Sequence, residues 1–125
     1  MVYRIVPAIL WTSGVAYAIL SPGSNIPDFP KFTGYDKVIH FTLFFGLVFL
    51  WSRVWTETKP KKNILKKISL NYLVFGIIFA IFTEFLQMNV PGRSFDGWDI
   101  VANISGGTMG AIIYVYLTKK QSKLV

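Results

Sequence analysis

Four apolar stretches constrain this chain more than any other feature. They run over about 3–20, 37–55, 68–88 and 98–117, and each approaches or reaches the roughly 20 residues that a transmembrane helix needs. In a chain of 125 residues they leave no room for a soluble domain. A segment crossing lipid must satisfy its own backbone, so the expected fold is all-α. The four transmembrane helices would pack as a small bundle in one domain covering 1–125. With 53% apolar residues, the chain has more apolar surface than a soluble domain of this size can hide.

The formal charge of +7 raises the question of nucleic acid, and Lys59, Lys61, Lys62, Lys66 and Lys67 resemble a phosphate-binding run. Their place between two apolar spans favours a cytoplasmic loop over 56–67 that follows the positive-inside bias, with no nucleic-acid partner. With four spans, Arg4, Arg53, these five lysines, Lys119, Lys120 and Lys123 share one side. That is ten of the 13 basic residues, and only Lys31, Lys37 and Arg93 lie opposite. Both termini are therefore expected to be cytoplasmic in a multi-pass protein. The first span also has a signal-peptide reading, with Arg4 as n-region and Ala16, Tyr17, Ala18 as a small-x-small site. The apolar run continues through Leu20, which favours a retained helix. No cysteine is present, so disulfides and thiolate chemistry are excluded.

The unusual polar residues gather at one end of these spans. Asp36 and His40 open the second, Glu84 and Gln87 close the third, and Arg93, Asp96, Asp99 and Asn103 lead into the fourth. Alternate crossings reverse direction, so all eight would share the extracytoplasmic face. His40, Glu84 and Asn103 each lie about one turn, roughly 5.4 Å, inside their helices. Simpler roles compete. Asp36 reads as an N-cap, Asp96 and Asp99 as a cap and a dipole partner, and Lys37 as a snorkelling side chain. Glu84 resists such a role best, because a carboxylate within a span is costly and usually faces a partner or cavity. Arg93, nine positions later across the Pro91-Gly92 turn, is its expected partner. Burial and that pairing would pull the Glu84 carboxyl in opposite directions.

Small residues predict how the spans pack. Gly76 and Ala80 lead up to Glu84 at four-residue spacing, which turns Glu84 into the bundle. Ala102, Gly106 and Gly110 repeat that spacing in the fourth span, as a face for a neighbouring helix or for a homodimer. Around these, Ser21, Pro22 and Gly23 stop the first helix, and Pro27 and Pro30 keep the outer loop extended.

The segments DKVIHFTLFFGL, TEFLQ and PGRSFDGWDIVANISGG together resemble the VanZ-like family of small bacterial membrane proteins. That family has an Asp-Lys-x-x-His helix start, a Glu-x-x-Gln helix end, and an Arg, Asp, Asp, Asn series entering a glycine-rich last helix. Asp36, Lys37, His40, Glu84, Gln87, Arg93, Asp96, Asp99, Asn103 and Gly106 fill those places. The resemblance implies an integral membrane protein of the bacterial cell envelope. Its name-giving member is associated with resistance to the glycopeptide antibiotic teicoplanin.

The polar layer sits at headgroup depth, which points to a membrane lipid or lipid-linked cell-wall precursor as partner. Glu84 and His40 are the catalytic candidates, since His titrates near neutrality. Arg93 and Lys37 suit a phosphate or carboxylate, and Asp36, Gln87, Asp96, Asp99 and Asn103 complete the binding set. Asp96 and Asp99 with His40 make an oxygen-rich group, but without metal-ligand spacing no metal is assigned, and the residues name no cofactor. Two other readings stand beside this one. The layer can be structural or recruit a partner protein, or the chain can be a small proton-coupled exporter. Exporter sites lie near the midplane, however, and Glu84 lies near a span end.

Overall fold

In the computed structural model, residues 2–22, 34–56 and 63–120 are described, and all elements among them are helical. Helix α1 is Val2–Leu20, α2 is Tyr35–Trp55, α3 is Ile64–Gln87 and α4 is Gly97–Lys119. All four are long and apolar enough to cross a membrane. Large apolar side chains such as Leu10, Tyr17, Ile78, Phe85 and Ile112 are exposed, as expected of helices that face lipid. The third helix starts at Ile64, so Lys66 and Lys67 belong to its first turns and not to a loop. Gly23, Pro27, Pro30, Lys31, Lys59, Lys61, Lys62 and Lys123 lie outside the described residues.

Adjacent helices run antiparallel and meet through side chains that bond to backbone. Trp11 Nε1 donates to Leu43 O at 2.9 Å and Arg4 Nη1 to Arg53 O at 3.1 Å, joining α1 to α2. Asn71 Nδ2 donates to Val48 O and Ser52 Oγ, joining α3 to α2. Both partners are buried, which makes such bonds strong constraints on register. The core between the helices contains Val15, Ile19, Phe44, Leu47 and Ala80, with Trp51 stacked on Phe75 at its edge. Helix α1 is thus part of the core.

The closest pair is α2 with α4, which run parallel. A Cβ placed on Gly106 would lie 2.1 Å from Phe41 O, and one on Gly110 would lie 2.5 Å from Phe45 O. These glycines let two backbones touch, and the stripe expected as a possible homodimer face is covered by α2 of the same chain. The reason is geometric: Phe41 and Phe45 repeat the same four-residue step. Helix α3 meets α4 through Gly107 instead, whose Cβ would lie 3.1 Å from the Gly76 Cα.

Helix α3 changes pitch midway, with a π-helical stretch at Tyr72–Ile78. Its buried positions step by five there, from Asn71 to Gly76, and then by four through Ala80 to Glu84. The wider turn carries both halves of the helix onto the bundle interior, and such stretches recur near functional positions. Gly106→Ala should lower the thermal midpoint in detergent, with a destabilisation of about 1–3 kcal/mol, because the new methyl meets backbone. Gly14→Ala, with open space around it, should be neutral or slightly stabilising. Equal midpoints for the two variants would contradict the backbone contact.

Candidate functional site

The polar end of the bundle is built on the first turns of α2 and α4 and the last turn of α3. Gly34, at φ 89°, precedes α2. Asp36 therefore lies within the first turn instead of capping it, which corrects the sequence expectation. No side-chain cap bond forms there. At α4, by contrast, Asp96 is the N-cap, and its Oδ1 accepts from Trp98 N at 2.9 Å.

Lys37 is the hub of this end. Its Nζ donates to Asp36 Oδ2 at 2.6 Å, Asp96 Oδ2 at 2.5 Å and Asp99 Oδ1 at 2.7 Å. The expected snorkelling role gives way to a three-carboxylate contact that pins α2 to the start of α4. With its three donors used in this way, Lys37 is not a free anion-binding group.

His40, Glu84, Asp99 and Asn103 lie beneath this hub and are all buried. His40 Nδ1 is 3.0 Å from Asn103 Oδ1, and His40 Nε2 is 3.6 Å from Asp99 Oδ2. Glu84 Oε1 accepts from the backbone N–H of Asp96 at 2.7 Å, tying α3 to the α4 cap. Glu84 Oε2 and Asn103 Nδ2 are buried without a hydrogen-bond partner. His40, Glu84 and Asp99 each bring a ligand-capable atom within 4.8 Å of the other two, as do Asp36, Asp96 and Asp99. The oxygen-rich set read from the sequence, Asp96 and Asp99 with His40, is thus divided between two groups that share Asp99.

Arg93 and Gln87 take a different place from the one expected. Arg93 Nη2 donates to Ala18 O at 3.3 Å, and Gln87 Nε2 donates to Ile19 O at the same distance. Both serve carbonyls in the last turn of α1, where no further helical N–H is available. The pairing of Arg93 with Glu84 is not formed, because the guanidinium turns to α1 while the carboxylate turns to the Asp96 backbone. The sequence expectation missed Ala18 and Ile19 as partners. The available signal was the open carbonyls at the end of any helix.

The electrostatics are acid-rich. Asp36, Asp96 and Asp99 surround the Lys37 ammonium, and Glu84 lies buried beside Asp99 with no lysine or arginine contact among the described residues. Asp96, just outside α4, has its carboxyl held below the usual carboxylate range, first by the Lys37 hydrogen bond and then by the Trp98 N–H. A depressed folded-state pKa stabilises the fold above the unfolded value, and this stabilisation is lost as pH falls through the folded value. Acidification below about pH 4 should therefore lower the thermal midpoint. Asp96→Asn keeps a capping side chain while removing the charge, so it should remove part of that acid limb. An identical acid limb in this variant would remove Asp96 from the account.

Comparison with known proteins fits this geometry. A relative from Schizosaccharomyces pombe (strain 972 / ATCC 24843), described as "Uncharacterized protein C11E3.10", is 30% identical over 86 residues. The match covers 69% of this chain and 50% of that protein, so the chain spans about half the length of the curated relative it matches. No solved structure matches the chain. Residues 4–118 match VanZ/LLP1, a match that takes in all four helices and every polar residue described above. This chain is a multi-pass, all-helical membrane protein of the VanZ/LLP1 family.

Proposed function

We propose that this protein lies in the bacterial cytoplasmic membrane with both termini in the cytoplasm, and that its polar end binds a lipid headgroup or lipid-linked cell-wall precursor at the outer face. The observation that carries this reading is Glu84, fully buried in the last turn of α3 with Oε2 unpartnered. A carboxylate kept in a span without a counter-charge is expensive, and such residues typically serve a ligand or relay. Its place one turn from the helix end is headgroup depth and not bilayer midplane, which disfavours the exporter reading. Should the headgroup be chemically altered, Glu84 and His40 are the acid–base groups at hand.

A structural role for the same layer has specific support as well. Lys37 and its three carboxylates tie α2 to α4, and Arg93 and Gln87 tie the α3–α4 turn to the last carbonyls of α1. Glu84→Gln separates the two readings, because it keeps the bond from Asp96 N and alters only the charge. Under the headgroup reading, the variant inserts at normal level and fails to restore the lipid and precursor profile of cells lacking the gene, measured by mass spectrometry. A profile unaffected by loss of the gene would leave only the structural role. Teicoplanin susceptibility of the same strains tests whether this member shares the resistance phenotype.

The orientation has its own measurement. The chain has no cysteine, so single cysteines report accessibility without background. Asn89→Cys, at the polar end, should react with an impermeant maleimide in intact cells, and Lys119→Cys should react only after lysis. The reverse pattern would place the polar end in the cytoplasm.

A further inference from the structure

The hydrogen-bond pattern around His40 brings a ring lone pair close to two buried carboxylates. The Asn103 Oδ1 accepts, so the 3.0 Å contact puts the hydrogen on His40 Nδ1. In neutral imidazole, Nε2 then carries a lone pair, and it faces Asp99 Oδ2 at 3.6 Å. Two acceptors at that separation repel unless a positive charge lies between them. Glu84 adds a third acceptor: its Oε2 is buried with no donor, and its carboxylate forms no ion pair with a lysine or arginine among the described residues. Lys37 does not fill the gap, because its contact with Asp99 is to Oδ1. The three residues His40, Glu84 and Asp99 are 5%, 0% and 8% exposed, so water is poorly placed to compensate.

We propose that His40 Nε2, a carboxylate oxygen of Glu84 and Asp99 Oδ2 bind a divalent cation of the Zn²⁺ or Mn²⁺ class. One imidazole nitrogen with two carboxylate oxygens is a mixed donor set that suits these ions better than the all-oxygen preference of Ca²⁺ or Mg²⁺. His40 Nε2 and Asp99 Oδ2 are 3.6 Å apart, and each of the three residues offers a ligand-capable atom within 4.8 Å of the other two, close enough to converge on one ion with small side-chain adjustments. Asn103 then acts as the outer partner that fixes the imidazole tautomer, the arrangement that metal-bound histidines usually have. Three protein ligands leave a coordination position for water or a phosphate oxygen.

This assignment deepens the headgroup reading by resolving a conflict within it. Three carboxylates on one ammonium, with Glu84 buried next to them, repel a phosphate, whereas a bound divalent cation would draw it in and polarise it. The cation is nevertheless measurable without any lipid substrate. Failure of the metal titration therefore leaves the headgroup reading to its own lipid profile, and failure of that profile leaves the metal site standing.

The test uses the full chain purified in detergent and stripped with a chelator, then titrated calorimetrically with Zn²⁺ and with Mn²⁺ alone. One saturable site per chain is expected for at least one of the two ions. Glu84→Gln and His40→Gln should each weaken it by about tenfold or more. Asn89→Ala, an exposed change at the same end, should leave it unaltered. X-ray absorption of the loaded wild-type protein should show one imidazole among oxygen ligands. No saturable binding by the wild type overturns the proposal; a proton on His40 Nε2, donated to Asp99, would then take the place of the ion. Unchanged affinity in a folded His40→Gln variant overturns it too. If both variants fail to fold, a wild-type spectrum without imidazole does so by itself.

Discussion

The backbone contact between α2 and α4 is the constraint on which the rest of the structure depends. Lipid offers helices no hydrophobic reason to associate, so close packing and interhelical bonds must supply it. Gly106 against Phe41 and Gly110 against Phe45 bring two main chains together and fix both their separation and their register. That register puts His40 beside Asn103 at one end and Thr56 beside Tyr114 at the other, each pair hydrogen-bonded. A larger residue at either glycine would separate both pairs at once.

Upon that pair the charges are arranged unevenly. Lys37 links α2 to α4 through Asp96 and Asp99, and in a low-dielectric setting such charge-assisted bonds are stronger than in water. Among the described residues Glu84 accepts from the backbone N–H of Asp96 and pairs with no lysine or arginine. The carboxylates of the hub near the surface share a cation, and the deeper Glu84 has none among the described residues. This difference separates the residues that hold the bundle together from those free to act on something else.

The outer helices serve that arrangement. The π-helical turn of α3 lets Asn71 hold α2 while Glu84, further along, still reaches the polar end. Arg93 and Gln87, on the hairpin between α3 and α4, reach instead to the carbonyls that end α1. Two residues that read as ligand-binding in the sequence thus have structural partners. Their contribution to the site is to close the side of the bundle that α1 covers.

By itself the sequence determined the helical spans, the gathering of polar residues at one bundle end and the inward direction of Glu84. These follow from span length and four-residue spacing, which are local properties of a chain in lipid. The helix ends were less legible, as Asp36 and Ile64 show, because capping depends on backbone angles that a neighbouring glycine or asparagine can absorb. Only the tertiary structure decided the pairings. Lys37 chose carboxylates across the bundle over the interface, Arg93 chose α1 over Glu84, and Gly106 chose α2 over a second copy. Each choice depends on which helix lies within a few ångströms. The rotation and register of packed helices set that distance, and residue type and spacing along one chain do not encode it.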